Sequence, residues 1–455
     1  MLIHKASRSL LSLRSSSYRI FLSTSDDKAS TRPTAWLDGM RGLASLIVVV
    51  FHFHQPYYPS ILYGYGISAT DQEPSRSIIQ LPIIRLLYHG GAMVTHFFVI
   101  SGFSISYKPT RLLREHEWGR LLQNISSSSF KRLGRIGFPY IAASFLYLVV
   151  LRLQFFDKWI PTPGTPLLPF ASEIRRWIVV TGRQLNIWSV GDKSTYLTEN
   201  IYCSQSWTLR LELRCSFWIY LIIITMCRVK SYLRFAILFA IGCHFQYQGL
   251  WDLQCFLCGM MLSEIDFRPR QKQSSRKKDG LVCEASSRSS EGSLISDWKW
   301  IASCTVALFL LSTPQNEGEK TLGYQLLMKI TPQPSYAESR FLQTVGSTLL
   351  IWSVGKSTWL QRMFTTPFAQ YLGKVSYSLY VTHHVVNETL AFHAIRVAQD
   401  WITGKDTPLT FELGMLSGLL VCVPAFFGLA HLFWLFVESK SVIMLSWIDE
   451  KINEA

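Results

Sequence analysis

The stretch WLDGMRGLASLIVVVFHFH, residues 36–54, places a charged pair before an apolar run that ends in two histidines. At 100° per residue, Arg41 and His52 fall about 20° apart around a helix and roughly 16 Å apart along its axis. One helix face would then carry a cation at the mouth of a membrane and an imidazole deep within it. A structural interpretation stays equally open, in which Arg41 pairs with Asp38 and His52 bonds a neighbouring carbonyl.

The composition of the whole chain indicates that this stretch lies in a membrane. Of the 455 residues, 49% are hydrophobic and only 16% are charged, with a mean hydropathy of +0.19. Soluble domains carry about 25% charged residues. These values exclude an intrinsically disordered, a collagen-like and a disulfide-scaffold protein. One polytopic membrane domain is predicted instead of two or three soluble domains.

Apolar segments recur along the chain and predict an all-α polytopic fold with about ten transmembrane helices. Several are shorter than the roughly 20 residues that a span requires, so their ends must include flanking residues. No internal repeat of fixed period is visible, which disfavours transporter folds built from inverted halves. The segments lie near 42–55, 87–107, 136–156, 206–227, 231–247, 249–265, 298–313, 341–355, 370–391 and 411–437.

The net charge of +15, from 45 basic and 30 acidic residues, is concentrated in the N-terminal tail and the even-numbered loops. Those loops contain the basic stretches 108–135, 228–234, 268–278 and 356–374, whereas the odd-numbered loops are mixed in sign. Cytosolic loops carry the excess of Lys and Arg, so both termini are predicted to be cytosolic. The endoplasmic reticulum or another endomembrane is expected, and nucleic acid is not expected as a partner.

Three segments flank or interrupt the predicted transmembrane domain of residues 36–440. Residues 1–35 are basic and serine-rich, and a disordered cytosolic tail is favoured over a mitochondrial transit peptide. Residues 266–297 are predicted to be a disordered cytosolic linker, and residues 441–455 a C-terminal tail. The longest lumenal loop, 157–205, contains an amphipathic stretch.

Nine cysteines are spread along the chain without the spacing of a disulfide framework. Cys255 and Cys258 form one C-x-x-C pair, but it lies inside an apolar segment and has no second pair. Helix packing is the favoured interpretation over redox or zinc chemistry. No metal ligands and no permanently bound cofactor are expected.

Polar side chains inside the apolar segments mark candidate sites, because burying ionisable groups in a bilayer is expensive. With the N-terminus inside, four of them map to the lumenal half: His52, His96, Glu212 and His383. Four cations map to the cytosolic face: Arg41, Lys131, Arg132 and Arg135. The arrangement suggests a polyanionic ligand that enters from the cytosol and an imidazole and carboxylate site further out. Three aromatic residues are predicted to contact the substrate: Trp207, Tyr377 and Tyr380.

Five motifs follow one another along the chain: Trp36–Arg41 with His52, Phe97–Phe103, Lys131–Ile136 with Pro139, Trp207–Leu209 ending in Glu212, and Tyr371–Tyr380 with His383. At these motifs the chain resembles the acyltransferase 3 family of integral-membrane acyltransferases, in its fungal form, over about residues 36–440. Members transfer an acyl group, usually acetyl, from acyl-CoA to a hydroxyl of a sugar, lipid or small natural product. The chain departs from the family pattern at Arg210, where a smaller residue is commoner. It departs again after Glu438, where a basic residue and proline are usual.

The resemblance implies that His52 is the essential histidine and Arg41 the arginine paired with it. It places Arg132 and Arg135 near the acyl-CoA entrance. It also makes Glu212 and His383 polar residues of the site, without assigning their roles.

Imidazole titrates near the working pH of an enzyme, so we hypothesise that His52 takes the proton from the acceptor hydroxyl. Glu212 or His96 would orient or polarise that hydroxyl, and a covalent acyl-histidine is the less favoured variant. Acyl-CoA is expected as donor, with its phosphates paired to Arg41, Arg132, Arg135 and Lys131.

The acceptor and the function class leave alternatives open. A lipophilic secondary metabolite that enters from the bilayer is favoured over a cell-wall glycan or a lipid. A proton-coupled transporter with a relay of buried His and Glu is the competing class. A receptor or scaffold would leave the charges within the apolar segments unexplained.

Overall fold

The computed structural model describes residues 32, 34–67, 75–156, 169–188, 202–278, 294–332 and 338–454. The chain divides into two compact units, Met1–Ala35 and Trp36–Ala455, and the first lies almost wholly outside the described residues. Helices connected by loops and short 3₁₀ and π turns make up the described part, which contains no strand.

The α-helices, numbered in chain order, are α1 Ala35–His54, α2 Gly90–Arg114, α3 Trp118–Arg152, α4 Phe170–Leu185, α5 Trp207–Thr225, α6 Ser231–Tyr247, α7 Trp251–Lys278, α8 Leu294–Leu311, α9 Gln325–Ile330, α10 Glu338–Lys356, α11 Thr358–Phe364, α12 Pro367–Val386, α13 Phe392–Ala398, α14 Pro408–Phe433 and α15 Ser439–Glu454.

The all-helical prediction is confirmed, and each of the ten predicted segments overlaps one of these helices. Within the described ranges, three helical stretches are long and apolar enough to cross a bilayer by themselves: Ala35–His54, Trp118–Arg152 and Pro408–Ile452. The last of these runs through α14, a π turn at Trp434–Glu438 and most of α15.

Two segments that the sequence left as linker and tail contain helix. The backbone of α7 continues to Lys278, inside the predicted linker, whose residues 279–293 lie outside the described part. The C-terminal segment forms α15, which packs along α3. Asp449 there accepts a hydrogen bond from Ser127 at 2.7 Å and pairs with Lys131 at 2.8 Å. The end of the chain is therefore part of the helical bundle.

Glycines allow a close contact between α2 and α7. A Cβ added at Gly102 would overlap the backbone of Phe256, and one added at Gly259 would overlap the carbonyl of Val99. Small residues let helices approach closely enough for backbone contact. On the same interface the ring of Phe98 stacks on Trp251, with ring centroids 5.2 Å apart.

A second glycine contact joins α1 to α12. A Cβ at Gly42 would overlap the backbone nitrogen of Gly373, and a Cβ at Gly373 would overlap the carbonyl of Asp38. The residues that follow Gly42 along α1 then run beside the residues that follow Gly373 along α12. This contact brings both ends of α1, with Arg41 and His52, against the same partner helix.

The cysteines among the described residues are all free. Cys255 is buried in α7, and its sulfur lies 3.1 Å from the hydroxyl oxygen of Thr344 on α10. Cys258 is also free, one turn further along the same helix.

Replacing Gly42 by leucine should separate α1 from α12. Overpacking a tight contact costs about 1–3 kcal/mol, and here the added atoms meet backbone, which cannot move aside. The apparent melting temperature of the purified protein in detergent should fall well below that of the wild type. Gly428→Leu is the matched control, because that glycine is exposed on α14 with nothing within 4 Å of an added Cβ. Equal melting temperatures for the two variants would contradict the close contact.

Candidate functional site

A cavity of about 140 Å³ lies where α1, α2, α3, α5 and α12 meet the end of the π turn before α15. Its walls mix charged, hydroxyl and aromatic side chains that come from all of these elements. The polar and aromatic residues that line it are Arg41, Phe97, Phe98, Ser101, Ser104, Arg132, Arg135, Thr208, Glu212, Ser376, Tyr377, Tyr380 and Glu438. Three arginines face two glutamates, which leaves an excess of positive charge suited to an anionic ligand.

Arg132 and Glu212 form the central ion pair of this cavity, with a nitrogen-to-oxygen distance of 2.6 Å. The same carboxylate oxygen accepts a hydrogen bond from Ser101 at 3.1 Å, while Nε of Arg132 donates to Ser216 at 3.1 Å. The sequence placed Glu212 with the imidazoles further out, and the structure instead places it among the arginines. Depth along one helix could not show this, because the pairing depends on how α3 lies against α5.

Arg41 forms the pair with Asp38 that the structural interpretation predicts, and it also lines the cavity. Its guanidinium pairs with Asp38 at 3.3 Å, donates to the hydroxyl of Ser376 at 3.1 Å and donates to the carbonyl of Gly373 at 3.3 Å. The side chain is nevertheless 41% exposed and lines the cavity. Arg41 is thus oriented by α12 while part of its guanidinium faces the opening.

The two predicted tyrosines line the cavity and are held by hydrogen bonds at their hydroxyls. Tyr377 donates to the carbonyl of Ile136 at 2.8 Å. Tyr380 donates to the carbonyl of Gln205 at 2.5 Å, and its oxygen lies 2.6 Å from that of Thr208. Both rings therefore stand in fixed positions as walls of the cavity.

A cluster of three histidines, His52, His383 and His384, adjoins the cavity. The ring centroid of His52 lies 5.2 Å from that of His383 and 4.5 Å from that of His384, and the latter two are 4.6 Å apart. The prediction that His52 and His383 lie in one site agrees with this geometry. Tyr380 connects the two regions, because it lines the cavity and its ring centroid is 6.1 Å from that of His383.

Hydrogen bonds hold the two histidines of α12 through their Nδ1 atoms. Nδ1 of His383 lies 2.8 Å from the carbonyl oxygen of Tyr380 and 3.2 Å from that of Leu379. Nδ1 of His384 lies 3.2 Å from a carboxylate oxygen of Glu388. Glu388 belongs to a π turn, Asn387–Ala391, and π turns occur frequently at functional sites.

His384 and Glu388 were missed by the sequence analysis, although the chain carried a signal for both. They lie four residues apart, the spacing at which side chains meet on one helix face. The sequence predicted the neighbouring His383 instead, because it belongs to the last of the five motifs.

Three predicted site residues lie outside both the cavity lining and the histidine cluster. His96 is buried, with Nδ1 2.7 Å from the hydroxyl of Ser347 on α10. Lys131 pairs with Asp449 of α15, and the ring of Trp207 packs on Trp251 at a centroid distance of 6.4 Å. Each of these three side chains lies on a different face of its helix from the residues that line the cavity. Spacing along a single helix does not reveal which face points to the cavity.

A second basic cleft, of about 450 Å³, is lined by Arg114, Arg228, Lys230 and Arg234 among others. Two of its arginines are compensated, since Arg114 and Arg234 pair with Glu264 at 2.9 and 2.8 Å. The histidine cluster does not line it. Of these two cavities, only the first adjoins the cluster of His52, His383 and His384.

Comparison with known proteins gives a family that agrees with this site. The family described as acyltransferase domain matches residues 34–427. The O-acetyltransferase PaAT-1 of Phomopsis amygdali is 26% identical over 95% of this chain and 88% of its own length. The acyltransferase R4 of a Phoma species is 21% identical over 90% of this chain and 94% of its own. The acyltransferase clz18 of Cochliobolus lunatus is 21% identical over 89% and 93%. No solved structure matches the chain.

Replacing Glu212 by glutamine should destabilise the protein, because Arg132 then loses its counter-charge in a partly buried position. A hydrogen bond to a charged group contributes about 1.5–3 kcal/mol, so the apparent melting temperature should drop by several degrees. Glu117→Gln removes the same charge from an exposed pair with Arg120 and should change little. If the two variants have the same melting temperature, the ion pair in the cavity does not stabilise the fold.

Proposed function

Since the chain belongs to the acyltransferase domain family and is an acyltransferase, we propose that it is a membrane-bound O-acyltransferase that uses acyl-CoA. It moves the acyl group, in the first place acetyl, to a hydroxyl of a small lipophilic metabolite. The observation that carries this proposal is the contact between the arginine-lined cavity and the histidine cluster through Tyr380. A polyanionic donor and a proton acceptor are the two requirements of such a transfer.

The charge of the cavity suits coenzyme A. Its phosphates form short, charge-assisted hydrogen bonds with guanidinium groups. Arg41 and Arg135 line the opening, and Arg132 is held in place by Glu212. Glu212 is therefore a positioning residue for the donor in this proposal, in place of the role near the acceptor hydroxyl expected from the sequence.

The size of the cavity favours a short acyl group. A cavity of about 150 Å³ holds a molecule the size of benzene, and the cavity here has about 140 Å³. A two-carbon acyl group is of that size, so acetyl is the acyl group that we propose. The name O-acetyltransferase of the relative from Phomopsis amygdali agrees with an acetyl donor.

The chemistry requires a base, because a neutral alcohol is a weak nucleophile. A ring nitrogen of His52 takes the hydroxyl proton while the oxygen attacks the thioester carbonyl. The carbon–sulfur bond then breaks, and the leaving thiolate of coenzyme A accepts that proton from the imidazolium of His52. The rings of His383 and His384 lie beside His52, and their Nε2 atoms are available to accept a hydrogen bond from a protonated His52.

The membrane supplies the acceptor in this proposal. Ten of the helices coincide with the predicted spans, and the histidine-bearing end of α1 is assigned to the lumenal half of the bilayer. A lipophilic metabolite in the bilayer reaches His52 and His384, both partly exposed, from the side opposite the arginines. Both termini are then cytosolic, in the endoplasmic reticulum or another endomembrane.

His52→Ala should abolish most of the transfer. General-base catalysis contributes about 10²–10⁴-fold, so the rate of acceptor-dependent thioester consumption by purified protein should fall at least a hundredfold. His54→Ala is the matched control, because His54 bonds the carbonyl of Val50 at 2.8 Å and is not part of the cluster. Full activity of a folded His52→Ala protein would disprove the base assignment.

The acceptor can be identified by comparing metabolites of a strain that lacks this protein with those of its parent. The proposal predicts that the deletion strain accumulates a hydroxylated compound and loses its acyl ester. The mass difference of one acetyl group names donor and acceptor together. Unchanged metabolites, combined with solute flux in vesicles that contain the protein, would contradict the proposed reaction.

Glycosylation tests the orientation. The sequon Asn124-Ile125-Ser126 lies near the start of α3, on the side assigned to the cytosol. It should stay unmodified when the protein is made in a eukaryotic cell, because glycans are added in the lumen. A glycan at Asn124, detected by a mobility shift after enzymatic deglycosylation, would invert the orientation.

A further inference from the structure

We infer that His52, His383 and His384 form a binding site for a divalent transition-metal ion. One ring nitrogen from each of the three residues lies within 4.8 Å of the other two. From the sequence no metal ligands are predicted, because His52 and His383 are interpreted there as residues of the acyl-transfer site.

The hydrogen bonds at Nδ1 determine which nitrogen of each ring is available. Carbonyl oxygens only accept, so the Nδ1 of His383 that contacts Tyr380 and Leu379 must carry the proton. The carboxylate of Glu388 places the proton of His384 on Nδ1 in the same way. Nε2 of both residues is then an unprotonated lone pair, the form that binds a metal.

Both Nε2 atoms are buried and have no hydrogen-bond partner in the described part of the chain. Buried polar atoms are satisfied in the large majority of cases, so two such atoms side by side indicate a ligand. Metal-binding histidines characteristically donate their other ring N–H to a carboxylate or a backbone carbonyl. His384 has that arrangement with the carboxylate of Glu388, and His383 has it with the backbone carbonyl of Tyr380.

His52 completes the donor set from α1. Its imidazole makes no hydrogen bond among the described residues, and it stands within 4.5–5.2 Å of the other two rings, measured between centroids. Zinc-bound nitrogens at 2.0–2.1 Å in a tetrahedral site are about 3.4 Å apart. Small rotations of the rings therefore close the cluster around an ion.

Three neutral imidazoles select the class of metal. Nitrogen donors suit zinc, copper, nickel and cobalt, whereas magnesium and calcium require oxygen ligands. Three protein ligands leave a fourth position for water. Zinc is the probe of choice because it needs no particular geometry and no redox partner.

Metal binding and base catalysis exclude each other at His52, because each uses the same lone pair. Zinc should therefore slow acyl transfer, and a chelator should restore it. This consequence rests on the proposed function, whereas the metal site itself does not.

Zinc content measures the site directly. The full-length protein, purified in detergent and stripped with a chelator, is incubated with one equivalent of zinc sulfate, desalted and analysed by mass spectrometry of the metal. The wild type and His54→Ala should keep about one zinc per chain, whereas His384→Ala should lose it. Glu388→Gln leaves all three ligands in place and should weaken binding about 10–100-fold. A wild type that retains no more zinc than His384→Ala would overturn the site.

The rate of acyl transfer with and without zinc separates the two proposals. If zinc binds and slows transfer reversibly, both stand. If the chelator abolishes transfer and zinc restores it, the site stands and His52 is a ligand and not the base. If no zinc binds while His52→Ala is inactive, the metal site fails and the proposed function stands. Bound zinc without any effect on the rate would contradict the exclusion at His52.

Discussion

The close approach of α1 to α12 is the contact on which the site depends. Gly42 and Gly373 bring the two backbones together, and any side chain at either position would overlap the other helix. Arg41, next to this contact, is thereby held by Ser376 and Gly373 of α12. His52, three turns further along α1, meets His383 and His384 of the same helix. One helix pair thus carries both Arg41 and the three histidines.

Charge compensation decides which of the basic residues remain available. Lys131 pairs with Asp449, and two arginines of the second cleft, Arg114 and Arg234, pair with Glu264, so these three cations stabilise the bundle. Arg132 is paired as well, but its partner Glu212 lies in the cavity and orients it there. Arg41 keeps 41% of its side chain exposed despite its pair with Asp38, and it lines the cavity together with Arg135 and Glu438.

Much of the fold and part of the site follow from the sequence. Apolar segments located the helices, because length and hydropathy are local properties. The periodicity of α1 placed Arg41 and His52 on one face, and the structure agrees. The sequence does not show how helices far apart in the chain are rotated against one another. This rotation determines the position of Glu212, the separation of His96 and Trp207 from the site, and the pairing of Lys131. His384 was not predicted as a site residue, because its position beside His52 depends on how α12 packs against α1.

The binding position of the donor tests the central claim most directly. A structure of the protein with a non-hydrolysable thioether analogue of acetyl-CoA would show it. The account predicts phosphates against Arg41 and Arg135 and the acyl end beside Tyr380, directed at the histidine cluster. A donor bound in the second cleft, between Arg114 and Lys230, with no path to His52, would contradict it.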